Sequence, residues 1–231
     1  MSAWHVNLIT LFPDMFPATL GQSLSGKALE RGDWSYACIN PRDFTEDVHK
    51  TVDDTPYGGG AGMVLRADIL EKAHLSIKKP GRKIYMSPRG KVLNQALVKE
   101  LCAEESLTIL CGRYEGVDQR FLDVHGYEEI SIGDYVLSGG EPAAMIMMDA
   151  CIRLLPGVMG NDNTADEESF SNGLLEYPHY TRPAVWTDAD GSTHEVPDVL
   201  TSGNHANIEK WRHEQSLNIT QKNRPDLLDK D

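Results

Sequence analysis

The chain has 231 residues, 40% of them apolar and 25% charged, the profile of a folded globular protein with one large domain or one large and one small. No apolar run reaches the roughly 18 residues of a membrane helix, and the opening MSAWHVNLIT has neither a basic region nor a cleavage site, so neither a membrane span nor a secretory signal is expected. The net charge of −13 excludes a general nucleic-acid binder that works by bulk positive charge.

From the N-terminus, Trp4–Phe12 reads as a buried strand, with a helix start at Pro13. Leu20–Arg31 reads as a helix stopped by Gly32, and Trp34–Ile39 as a second strand. Asn40–Met63 is a polar, glycine-rich loop, longer than a compact domain carries without a functional reason. Then follow a helix at Ala67–Ile77, a strand at Lys83–Met86, a helix at Leu93–Ala103 and a strand at Leu107–Cys111. A short helix at Gln119–Val124, a strand at Glu129–Ile132 and a helix from Pro142 to Leu155 complete the pattern. Such alternation predicts an α/β fold, a mostly parallel sheet flanked by helices, over residues 1–159. Residues 160–173 are acidic and aperiodic and read as a flexible linker. Residues 174–231 read as a small helical module, with a helix at Asn204–Asn218 and a shorter one after Pro225.

The acidic excess is uneven. Residues 1–160 hold 16 basic and 21 acidic groups, and residues 161–231 hold 6 and 14. A polyanionic partner must therefore be held by local basic patches, by backbone N–H groups or at a dimer cleft. The four cysteines are scattered without a C-x-x-C pair, so neither zinc nor a disulfide framework is expected, and a reducing cytoplasm is the default location.

Open parallel sheets bind ligands at the carboxyl ends of their strands. Three predicted strands end in candidate loops: Tyr85-Met86-Ser87-Pro88, Cys111 to Gly116 and Ile132 to Glu141. The last two are glycine-rich, which lets a ligand approach the backbone. No G-x-G-x-x-G follows the first strand, and Tyr57 to Met63 lacks the Gly-Lys-Ser/Thr ending of a phosphate loop. The histidines show no metal-binding spacing, and there is no G-x-S-x-G elbow.

Five blocks together resemble the bacterial tRNA (guanine-N1)-methyltransferases. They are Asn40 to Phe44, Lys50 to Asp54 with Pro56 to Gly60, Cys111 to Gly116, Ser131 to Leu137 and Pro178 to Pro183, within a match running from Leu11 to about Leu228. The resemblance implies a SPOUT domain with a deep trefoil knot and a small helical tRNA-binding domain. It implies S-adenosylmethionine as methyl donor, a homodimer with shared active sites, N1 of guanine 37 in tRNA as target, and an association with magnesium during catalysis.

Carried residue by residue, the resemblance assigns cofactor contacts to Tyr85, Met86, Ser87, Pro88, Gly112, Tyr114, Glu115 and Gly116. It extends them to Ile132, Gly133, Asp134, Tyr135, Val136, Leu137, Gly139 and Gly140. Arg153 matches the family's catalytic arginine. The family's general base is an aspartate; Glu168 stands at that position, with Asp166 and Glu167 as rivals. Gly139-Gly140-Glu141-Pro142 lacks the residue usual between Glu and Pro, so Pro142 is assigned no contact. For tRNA, Gly58, Gly59, Arg182, Lys210, Arg212 and His213 are the candidates, with Trp211 beside them. Two other readings stay open: methylation of a different RNA position, and a non-catalytic RNA-binding protein of the same fold.

Overall fold

A computed structural model describes residues 3–159, 168–170 and 172–228. The chain divides into two compact units, Met1–Gly160 and Asn161–Asp231.

The first unit is built on five parallel strands in the order β2-β1-β6-β5-β7. These are β1 (Trp4–Ile9), β2 (Trp34–Ile39), β5 (Arg82–Val92), β6 (Ser106–Cys111) and β7 (Glu128–Ser131). Helices α1 (Ser23–Arg31), α2 (Ala67–Leu75), α3 (Gln95–Cys102), α4 (Gln119–His125) and α5 (Glu141–Ile152) connect and flank them.

Successive strand residues face opposite sides of a sheet. Ile84, Met86, Leu107, Ile109 and Cys111 enter one buried cluster, together with Leu97, Val98 and Leu101 of α3 and Ala144, Met147, Met148 and Cys151 of α5. Tyr85 and Leu110 enter the other, with Ile69 and Leu70 of α2 and Phe121 and Leu122 of α4. Burial on both faces explains why these strands read as continuous apolar runs. Helix α5 is apolar on nearly every side because most of it is buried.

The helix at Leu20–Arg31 begins later, at Ser23, after two 3-10 turns at Pro13–Met15 and Ala18–Gly21. Its stop is as expected: Gly32 adopts φ +80°, and its N–H bonds Leu29 O at 3.0 Å. Strand β5 runs on past Met86. Its pairing with β7 shifts register, so that both Met86 and Lys91 pair with Ile130 and the residues between them bulge outward. The expected loop Tyr85 to Pro88 is therefore strand: Tyr85 and Met86 pair regularly, and Ser87 and Pro88 begin a bulge inside a longer strand. The segment Asn40–Met63 is not structureless either. Two-residue strands β3 (Asp53–Asp54) and β4 (Val64–Leu65) pair antiparallel, leaving the glycines at the tip of the excursion.

The second unit holds more than helices. Strands β8 (Val185–Thr187) and β9 (Thr193–Glu195) form a hairpin, closed by Asp188 Oδ1, which accepts from Asp190 N and Ser192 N at 3.0 Å each. Helix α6 (Asp198–Thr201) precedes α7 (His205–Asn223), whose first turn is capped by Asn204 Oδ1 accepting from Asn207 N. The buried Thr220 of α7 accepts from Leu175 N at 2.8 Å and donates to Ser216 O. The expected short helix after Pro225 is a 3-10 turn, Pro225–Leu227.

Candidate active site

The sheet edge formed by β5, β6 and β7 brings the three candidate loops into one cavity of about 260 Å³. Of the expected cofactor residues, Tyr85, Met86, Ser87, Pro88, Gly112, Tyr114, Glu115, Gly116, Ile132, Gly133, Tyr135, Val136, Leu137, Gly139 and Gly140 line it. Asp134 does not: it is exposed and outside the lining. It lies between Gly133, with φ +144°, and Tyr135, whose hydroxyl donates back to Ile132 O at 3.2 Å.

Close backbone approach sets the shape of this cavity. Gly140 N donates to Gly112 O at 2.9 Å, joining the loop before α5 to the loop after β6. A Cβ at Gly140 would lie 2.8 Å from Cys111 Cα and 2.9 Å from Gly112 N. Gly140 has φ −79°, which alanine adopts without strain, so space alone demands glycine there. Gly140→Ala is expected to lower stability by about 1–3 kcal/mol, the usual cost of overpacking against rigid backbone. Thermal unfolding reads this; an unchanged Tm would show that the two loops part without cost. Tyr114 holds φ +58°, an uncommon backbone state for a side-chain-bearing residue.

Tyr85 is buried, and its hydroxyl lies where side chains on Gly112 or Gly116 would stand. Burial pushes its phenol above the ordinary value, with Glu129 adding to the rise and Arg89 opposing it. It stays a neutral hydrogen-bonding group. Burial likewise drives the Cys111 thiol well up, reinforced by Glu141 and Cys38 and opposed by Arg113. Cys111 is therefore a packing residue and not a nucleophile.

Two residues that sequence reasoning passed over support the cavity. Arg113 lines it and places Nε 2.9 Å from Oε2 of the fully buried Glu141, the first residue of α5. The contact is an ion pair without hydrogen-bond alignment. Thr10 Oγ1 donates to Glu141 Oε1 at 2.8 Å, and the Arg113 guanidinium lies 4.3 Å from the Phe12 ring centroid. The available signal was a charged residue immediately after each glycine turn, Gly112-Arg113 and Gly140-Glu141.

The glycine excursion also meets this site. Glu115 N donates to Met63 O at 2.9 Å and Leu65 N to Gly116 O at 3.0 Å. The Glu115 side chain lies so close to Gly62 that a Cβ there would be 2.5 Å from its Cγ. Gly58 and Gly59, the expected substrate contacts, are exposed at the tip and do not line the cavity. A larger depression of about 1070 Å³ lies on the same unit, but Arg66 and Arg120 on its wall are already paired with Asp68 and Asp118.

Arg153 caps the C-terminus of α5, with its N–H bonded to Asp149 O at 3.1 Å, and is half-buried. Glu168 is half-buried in the second unit, while Asp166 and Glu167 lie outside the described residues. Arg182 and Arg212 line a common cavity of that unit; Lys210 and His213 are exposed on α7 and do not. Among the described residues no three His, Cys, Asp or Glu are grouped to hold a metal ion, and no helix is long and apolar enough to cross a membrane.

A family model described as tRNA (Guanine-1)-methyltransferase TrmD matches residues 4–230. A Rhizobium etli protein named tRNA (guanine-N(1)-)-methyltransferase is 56% identical over 99% of this chain and 97% of its own length. Proteins of the same name from Agrobacterium fabrum and Mesorhizobium japonicum are 57% and 58% identical, covering 98% and 97% of this chain and 97% and 96% of theirs.

Proposed function

Because the chain belongs to the tRNA (guanine-1)-methyltransferase family and is a tRNA (guanine-N1)-methyltransferase, we propose that it modifies guanine 37, beside the anticodon, with its methyl donor in the cavity formed by the middle of β5 and the loops after β6 and β7. The observation that carries this is the convergence of three separate segments, two of them glycine-rich, on that one cavity. A methyltransferase of this family uses S-adenosylmethionine, which supplies an electrophilic sulfonium methyl when bound. The cavity fits such a donor: backbone of the loops after β6 and β7 lines it, and Met86, Ile132, Val136 and Leu137 offer apolar contact to a flat base. Tyr85 closes one side as a neutral phenol.

Guanine N1 carries a proton at neutral pH and must lose it to become nucleophilic. Glu168 accepts that proton as general base. Negative charge then moves toward O6, and Arg153, permanently charged and multiply donating, steadies it. Holding the reacting atoms in near-attack geometry supplies on the order of 7–11 kcal/mol of the barrier reduction. The described residues offer no grouped donor set for magnesium, and no step is assigned to it. A homodimer in which the linker of one subunit completes the site of the other, the family's knotted threading and a cytoplasmic location belong to the same proposal.

The deciding assay is methyl transfer to tRNA transcripts carrying guanosine or adenosine at position 37. Transfer to the first and not the second is expected. Equal transfer to both would move the target to another position, and transfer to neither would leave a non-catalytic RNA binder.

A further inference from the structure

The second unit is strongly acidic, yet the cavity of about 520 Å³ within it has no Asp or Glu among its lining residues. It is lined instead by two arginines, Arg182 and Arg212, and by the rings of Tyr177, His179, Tyr180 and Trp211. The size falls within the range of small-ligand pockets. Tyr177 and His179 have ring centroids 5.0 Å apart, and Tyr180 and Trp211 6.2 Å apart. Tyr180 is 48% exposed, so part of its ring is open to a partner.

Arg212 is held in place before any partner arrives. Its guanidinium lies 4.7 Å from the Tyr177 ring centroid, a cation–π contact. Its Nε is buried and has no hydrogen-bond acceptor among the described residues. Aromatic rings, a fixed guanidinium and a lining without carboxylates, although Glu176 bonds the lining His179 at 2.8 Å, are together the chemistry that receives one unstacked nucleotide: base on ring, phosphate oxygen on arginine.

We propose that this cavity docks a single unstacked nucleotide of the tRNA other than the guanine that is methylated. The proposal rests on the tRNA reading above and names a site for it. The base lies against Tyr180 and Trp211, and Arg212, with Arg182, receives the phosphate. Because stacking tolerates any base, the pocket positions the RNA without reading its sequence. Because only one or two phosphates are engaged, this contact has a shallow salt dependence. That suits a unit whose overall charge repels RNA.

The test uses the full-length protein, S-adenosylmethionine and tRNA transcripts that each carry one abasic site at a non-reacting position of the anticodon loop. Single-turnover methyl transfer against enzyme concentration yields a half-saturating concentration and a saturating rate. For the unsubstituted enzyme, one abasic position should raise the former by roughly 5- to 150-fold, the worth of one base–aromatic stack, and leave the latter unchanged. Tyr180→Leu and Arg212→Gln should produce a similar rise with intact tRNA. Tyr180→Leu should also lose its sensitivity to that abasic position. Trp211→Phe, which keeps a ring, should lie between. A retained saturating rate shows that the variants are folded.

The proposal is overturned if Tyr180→Leu and Arg212→Gln bind intact tRNA like the unsubstituted enzyme. It is equally overturned if their losses add to those of every abasic transcript without coupling. Failure of the unsubstituted protein to methylate any transcript would overturn the tRNA reading itself, and the pocket's assignment with it.

Discussion

Glu168→Gln is expected to lower the rate constant for methyl transfer by roughly 10²–10⁴-fold, the usual contribution of a general base. The substitution keeps the size of the side chain and removes its basicity, so cofactor affinity should stay near that of the parent. Glu168→Asp should retain partial activity, because the carboxylate survives with a shorter reach. Asp166→Asn and Glu167→Gln should cost far less. If Asp166→Asn cripples transfer while Glu168→Gln is mild, the base is Asp166 and the reaction class stands. The same residue tests the shared site. When a Glu168→Gln subunit is mixed with an Arg153→Ala subunit, a heterodimer with sites built across subunits has one site with both lesions and one with neither. About half the parental activity per heterodimer should then return. No recovery from verified heterodimers would place both groups within one subunit.

Glu141→Ala should destabilise the first unit by about 3–5 kcal/mol, the cost of breaking a buried ion pair from one side. Glu141 is 0% exposed, and its loss strands both the Arg113 guanidinium and the Thr10 hydroxyl. Burial makes this substitution far more costly than removal of a surface partner such as Asp68, whose pair with Arg66 is solvated. Replacing both partners with leucine should recover most of the loss, because no buried charge then remains. Chemical denaturation followed by the fluorescence of Trp4 and Trp34, both buried in the first unit, reads the effect once Trp186 and Trp211 have been changed to phenylalanine. A loss below about 1 kcal/mol, the typical value of an exposed pair, would mean that water reaches the pair.

The pair also shows why the cavity survives as a unit. Arg113 follows β6, Glu141 opens α5 and Thr10 follows β1. Their contacts tie the ends of three elements together, and Arg113 carries that tie to the wall of the cavity. Arg113 Nη1 also donates to Ser138 O at 3.3 Å, which steadies the last of those loops. Weakening the pair should therefore loosen the loop before α5 as well as lower stability.

Much of this protein is legible in its sequence because the governing interactions are local or periodic. The apolar run Leu107–Cys111 becomes β6 since both sheet faces are covered, and Gly32 ends α1 since its backbone takes φ +80° readily. The positions of the glycine-bearing loops follow directly from where those strands end. Other features had no local signal. Val185–Thr187 and Thr193–Glu195 are exposed on both sides, so the hairpin carries no alternation of apolar and polar residues. The bulge after Met86 arises from pairing with β7, more than forty residues later in the chain. Tertiary structure alone seats Glu115 against Gly62, buries Glu141 under Arg113 and gathers Tyr180, Trp211 and Arg212 around a cavity free of carboxylates. Propensity and period report only what neighbouring residues do to one another. Whether a charge is buried, paired or turned toward a cavity depends on distant segments that packing brings within a few ångströms, and the free energy of burying a charge is settled there.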